Sequence, residues 1–234
     1  NGNTVNNSNN NVVTGNTNAV GDGSHNNVVG GSNNYLDPSV GNSVVGNANT
    51  LIDSNYNQVG GNGNSLTNGD SNVVGGDANS ITGDRNLVVG NSNNGISGSN
   101  NSVSGEDNNT ISGNSNIVGG TGNDTVSGSY NLLTGNNNDN TTGNSNAISG
   151  TGNDGTAGHN NAISGTNNDG TAGNNNVLGG SNHSGVAAGA DGNALFGDDH
   201  DGVTGDNNII SGSNNDNTSG SNNAISGTGN SNTS

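Results

Sequence analysis

Residues 112–135 read SGNSNIVGGTGNDTVSGSYNLLTG. Asn or Asp recurs there four residues before a Gly, with an aliphatic residue midway: Asn116-Ile117-Val118-Gly119-Gly120, Asp124-Thr125-Val126-Ser127-Gly128 and Asn131-Leu132-Leu133-Thr134-Gly135. The same unit, Asn-x-φ-x-Gly with φ aliphatic, can be followed in both directions. One series places Asn at 11, 27, 42, 57, 72, 86, 101, 116, 131, 146, 161, 176, 193, 208 and 223, with φ two residues on, from Val13 to Ile225, and closing Gly from Gly15 to Gly227. A second series lies half a period away, with φ at Val5, Val20, Leu36, Leu51, Leu66, Ile81, Ile96, Ile111 and Val126. It continues through Thr141, Thr156, Thr171, Ala187, Val203, Thr218 and Thr233. Its Asx position is Asn64, Asn79, Asn94 and Asn109 early, then Asp124, Asp139, Asp154 and Asp169.

The period is 15 residues in halves of seven and eight, with its largest departure near 181–197. Hydrophobic residues make up 23% and aromatics 2%, a composition that on its own would suggest disorder. A phase held over fifteen units argues for stacked repeats instead. Alternation within the unit is that of a short strand, φ inward and its neighbours outward, with Gly turning the corner. Two strands per period make a coil of an all-β, two-sided parallel β-solenoid, of about fifteen coils on this spacing. Aliphatic residues then stack on aliphatic residues and amides on amides. The chain reads as one solenoid domain, 1–234, irregular around 181–206. The Thr and Ala positions of the second series should form the weaker part of the core.

At Ser99-Asn100-Asn101-Ser102-Val103-Ser104-Gly105 and Asn108-Asn109-Thr110-Ile111-Ser112-Gly113 the unit takes the form x-x-N-x-V-x-G. In this it resembles the ice-recrystallisation-inhibiting antifreeze proteins of grasses, and the resemblance covers nearly the whole chain. It implies a left-handed β-solenoid with a flat ice-binding face, extracellular or at the cell surface and without cofactor. Asn42-Ser43-Val44-Val45-Gly46 is also similar to the coils of trimeric autotransporter adhesin heads.

Charge and faces narrow the function classes. Eighteen acids against one cation, Arg85, give a net charge of -17, which argues against nucleic acid and anionic lipid as partners. No stretch reads as a membrane span, and without Cys there are no disulfides and no thiolate chemistry. The outward positions of the first series carry no charge, and acids are displaced to turns such as Asp70, Asp77 and Asp84. On the second series Ser65, Thr67, Ser80, Thr82, Thr110, Ser112, Thr125 and Ser127 form the candidate ice-binding face. On the first, Leu87, Val89, Ile117, Leu132, Phe196 and Ile209 form the candidate self-association face. The expected partner is therefore an ice surface or other copies of the chain, in a homo-oligomer or filament.

No catalytic constellation is read, so an enzyme is not expected. His25, His159, His183 and His200 fall in turn segments without a phased partner. Asp198, Asp199 and Asp201 are the one local cluster of metal-ligand types, in Gly197-Asp198-Asp199-His200-Asp201-Gly202, and a loop insertion is the preferred reading there. Gly119-Gly120-Thr121-Gly122-Asn123-Asp124-Thr125-Val126-Ser127 matches a calcium nonapeptide, but that fold needs a nine-residue period.

Overall fold

A computed structural model describes residues 2–234, and none of them is helical. The chain is all-β and forms parallel β-solenoid coils in two compact units, Asn1–Asn116 and Ile117–Ser234. In the first unit one side of the coil is a sheet of the strands Val12–Asn16, Val28–Ser32, Ser43–Asn47, Gln58–Asn62, Val73–Gly75, Leu87–Asn91 and Ser102–Glu106. The opposite side is built from two- and three-residue strands, Thr4–Val5, Ala19–Val20, Tyr35–Asp37, Thr50–Ile52, Ser65–Thr67, Ser80–Thr82, Ile96–Ser97 and Ile111–Ser112. Register follows the repeat: Val44 lies beside Val59, Val59 beside Val74, and Val88 beside Val103. Leu51 lies beside Leu66 in the same way on the short-strand side. All of these φ residues are buried.

The corners explain the rest of the unit. Asn57 is buried; its backbone N–H donates to Asn42 Oδ1 (2.8 Å) and its Nδ2 donates to the Gly69 carbonyl (2.8 Å). Its own Oδ1 accepts the N–H of Asn72 (2.7 Å). The second corner repeats the scheme through Asn34, Asn49, Asn64 and Asn79. Each of these first-unit amides both donates and accepts, so no polar atom of them is stranded in the interior. Gly46, at φ 136, turns the long strand towards the second corner. A Cβ there would run into the carbonyl of Gly61 in the next coil, which is why the closing residue stays Gly.

One phase change was not legible in the repeat. The coil from Asn72 to Asn86 spans 14 residues, and so does that from Asn79 to Asn93. From there on the buried Asn of the second corner stands three residues before φ rather than two: Asn93 before Ile96, Asn108 before Ile111. Asn94 and Asn109 are therefore not the corner amides that the alignment of φ positions predicts. They occupy an outer column, where the Asn94 N–H donates to Asn109 Oδ1 (3.1 Å).

The second unit keeps a regular long-strand sheet: Ile117–Thr121, Leu132–Asn136, Ala147–Thr151, Ala162–Thr166, Val177–Ser181, Ala194–Asp198, Ile209–Ser213 and Ala224–Thr228. Its short side is thinner. Val126–Ser127 pairs with Thr141–Thr142, and Asp169–Thr171 pairs with Ser184–Val186. Elsewhere only single bridges remain, Thr142 to Ala157, Ser184 to Asp201 and Asp216 to Ser231. The irregular coil is longer by two residues: Asn176 is followed in its column by Asn193, 17 residues on. The additional residues lie at 187–190, where the Ala190 N–H closes a turn on the Ala187 carbonyl (3.0 Å). Val186 is buried there and Ala187 is not, which corrects the φ assignment in this coil. Residues 197–202 are not the insertion: Gly197 pairs with Gly212 and His200 is followed by Asn215, both at the regular 15.

Candidate functional surfaces

The buried and outer columns accept different residues for a chemical reason. At the buried corners the side chain must accept the N–H of the next coil and also donate to a carbonyl. Asn does both; a carboxylate has no proton to give, and no acid occupies a buried corner among the described residues. In the outer columns only an acceptor is required. The Asn55 N–H donates to Asp70 Oδ1 (2.8 Å), Asp70 N–H to Asp84 Oδ1 (2.9 Å) and Asn62 N–H to Asp77 Oδ1 (2.7 Å). In the second unit Asp124, Asp139, Asp154 and Asp169 form one such run, the N–H groups of the first three each donating to the carboxylate of the next coil. Burial above all, with the charges of Asp154 and Asp124, raises the Asp139 carboxyl above its ordinary range, against the lowering hydrogen bond from the Asp124 N–H. The acids thus line the edges of the coil, and the outward positions flanking φ on the long-strand faces stay uncharged.

The predicted ice-contacting residues separate into two groups. Ser65, Thr67, Ser80 and Thr82 flank φ on neighbouring strands, with Ser65 in register with Ser80. Ser112 lies in register with Ser97 on the same side, and Ser127 with Thr142 in the second unit. Thr110 and Thr125 do not lie on a strand. They have φ of 54 and 57 and occupy the corner made longer by the phase change. Tyr35 and Asp37 also stand on this side of the first unit, joined by a hydrogen bond from Tyr35 Oη (2.9 Å) that raises the phenol above its usual range.

The predicted self-association residues all face outward from long strands. Leu87 and Val89 belong to the first unit, and Ile117, Leu132, Phe196 and Ile209 to the second. In the second unit the position before φ is aliphatic in every long strand: Ile117, Leu132, Ala147, Ala162, Val177, Ala194, Ile209 and Ala224 lie in successive register. Leu132, Val177 and Phe196 rise around the smaller Ala147, Ser149, Ala162 and Ser164 and enclose a shallow depression of about 260 Å³.

Asp198, Asp199 and Asp201 do not converge. Asp198 ends a long strand, Asp199 has φ 54, and Asp201 accepts from the Ser184 N–H (3.1 Å) and hydroxyl (2.6 Å). No group of three metal-ligand side chains comes together among the described residues.

The histidines, by contrast, are phased. His25 and His159 sit in outer columns and accept backbone N–H groups of Asn9 (2.9 Å) and Asn144 (3.0 Å) through Nδ1. His183 and His200 stand in the buried corner between Asn168 and Asn215. The one-residue phase change and the 17-residue coil kept them out of line with the asparagines when φ positions alone were aligned. No family model matches the sequence, and no curated protein and no solved structure matches it either.

Proposed function

We propose that this protein is a non-enzymatic ice-binding protein that inhibits recrystallisation, working outside the cell or at its surface without a cofactor. The observation that carries the reading is the register of small hydroxyl residues on the short-strand side of the first unit. Thr50, Ser65 and Ser80 follow one another in one column, and Ser97 follows Thr82 in the other. One coil rise of about 4.8 Å separates neighbours, which approximates an oxygen spacing in ice. The strands hold their side chains roughly perpendicular to the sheet, so hydroxyls repeat at a fixed interval without reorganisation. The resemblance to the antifreeze family of grasses supports the same reading. The contact set is Ser65, Thr67, Ser80, Thr82 and Ser112; Thr110 is dropped because its backbone turns it out of the array.

An ice-grain coarsening assay on Thr67→Tyr/Thr82→Tyr tests this. Tyr suits a strand, so circular dichroism should be unchanged while inhibition is lost. Inhibition at the unsubstituted level would remove the short-strand face from the proposal.

A second reading, a structural fibre built by lateral packing of solenoids, is favoured by the aliphatic column of the second unit's long strands. Phe196 and Ile209 expose 47% and 57% of their surface there. Negative-stain microscopy separates the two: discrete rods accord with ice binding, and filaments that disappear with Leu132→Ser/Phe196→Ser accord with the fibre.

A further inference from the structure

His183 and His200 take over a position that Asn holds in the neighbouring coils, and they do so with the same two hydrogen bonds. The His200 N–H donates to His183 Nδ1 (3.3 Å), and the Asn215 N–H donates to His200 Nδ1 (3.3 Å). On the far side of each ring, Nε2 faces a carbonyl four residues back, Gly179 at 3.3 Å and Phe196 at 3.1 Å. Asn153 and Asn215 make the corresponding bond from Nδ2 to the carbonyls of Ser149 (3.2 Å) and Ser211 (3.1 Å). The rings stack with centroids 5.0 Å apart and planes 12° from parallel, and both side chains are fully buried. Such a ring replaces Asn in one state only, the neutral tautomer with its proton on Nε2. Protonation puts a second N–H on Nδ1, aimed at the backbone N–H that this nitrogen now accepts. It also buries a positive charge against a second ring.

We propose that the His183–His200 stack is an acid-sensitive joint, at which protonation disrupts the buried ladder and opens the coils around residues 181–206 of the second unit. The stack spans the coil lengthened at 187–190, and in the opposite corner column of that coil Asn176 Nδ2 has no hydrogen-bond partner, so both columns depart there from the regular amide ladder. The surroundings do not neutralise the added charge. The long strands Val177–Ser181 and Ala194–Asp198 bring one titratable group, Asp198, and the short side brings Asp169, Asp201 and Asp216, with Asp199 in the intervening turn. All are on the exposed or half-buried edge, and Asp201 is engaged by Ser184. Burial pushes the His183 ring below its usual range and His200 adds to this, against the opposing pull of the Gly179 carbonyl, Asp198 and Asp201.

The sign follows from linkage. A histidine held below its unfolded-state pKa contributes stability that is complete above about pH 6.5 and declines as pH falls, until the folded ring itself takes up the proton. One pH unit below that value, a ring that must stay neutral in the closed ladder raises the open population about tenfold. Amide hydrogen exchange on the full chain at pH 7.5 and 5.5, corrected for intrinsic rates, reads this directly. In the unsubstituted protein, protection of the amides at 183, 200 and 215 should fall by about tenfold. His183→Asn/His200→Asn restores the residue of the neighbouring coils and should hold the change within about threefold. The acidic columns are the same in both proteins, so their titration cancels. Equal losses in the two proteins, or no loss in the first, would overturn the proposal. Ring titration by NMR needs no substitution: the His183 ring should titrate below the ordinary histidine range, and a His183 ring titrating within or above that range would sink the proposal.

Discussion

The short-strand sides of the two units share one stacking plan but differ in what fills the interior and in the corner, where the buried residue stands three before φ throughout the second unit. In the first unit the interior is Leu36, Leu51, Leu66, Ile81, Ile96 and Ile111, and short strands pair from coil to coil. In the second it is Val126, Thr141, Thr156, Thr171, Val186, Val203 and Thr218, and pairing contracts to two strand pairs and single bridges. Thr141, Thr156, Thr171 and Thr218 bury hydroxyls that find no hydrogen-bond partner among the described residues. Yet coils keep their register: the Thr142 N–H still donates to the Thr156 carbonyl (2.7 Å), and Asn138, Asn153 and Asn168 still form their column. Stacking is therefore held by corner amides and backbone; the short strands already contract to two residues at Ile96 and Ile111, where the buried amide moves to three residues before φ, and break into single bridges only after Thr enters the interior.

That contrast can be broken most directly by importing the weaker interior into the stronger unit. Leu66→Thr removes buried aliphatic volume and adds an unpartnered hydroxyl, and should cost about 3 kcal/mol. Urea unfolding measures it; a loss under about 1 kcal/mol would mean that the aliphatic column is not what distinguishes the units. The reverse exchange should have a smaller effect. Thr156→Val exchanges the unsatisfied hydroxyl for a methyl of similar shape and should add about 1 kcal/mol, with slower amide exchange at Ala157 and Ala172. The smallest change is expected at the edge. The Asp139 carboxyl is raised by burial and by its like-charged neighbours, so its contribution is most favourable at acid pH and declines as pH rises through its folded-state value. Asp139→Asn should therefore stabilise slightly at pH 7, with the gap closing as pH is lowered below the carboxylate range. Thermal melts at the two pH values give the comparison.

Fold class was legible because its cause is local and repeated. Asn-x-φ-x-Gly specifies an inward aliphatic residue, an amide that must be satisfied and a corner that excludes a Cβ. The candidate faces were only partly legible. Alternation about φ correctly places Ser65, Thr67, Ser80 and Thr82 outward, but Thr110 and Thr125 look identical to them in sequence. The signal that could have separated them is the buried amide, which moves from two to three residues before φ between Asn79 and Asn93. A repeat aligned on aliphatic residues is blind to that shift.

By itself, then, the amino-acid order determined the period, the two-sided coil, the uncharged long-strand face and the displacement of acids from the interior, since each follows from what one residue can donate, accept or bury. Only the stacked structure decided which Asx of each pair is inside and where the two additional residues of the long coil go. It also decided that His183 and His200 are ladder members rather than turn residues. Those outcomes depend on hydrogen bonds between residues 14 to 17 positions apart, and a one-residue change in the corner exchanges the buried and outer positions without altering the pattern that a reader of the chain can see.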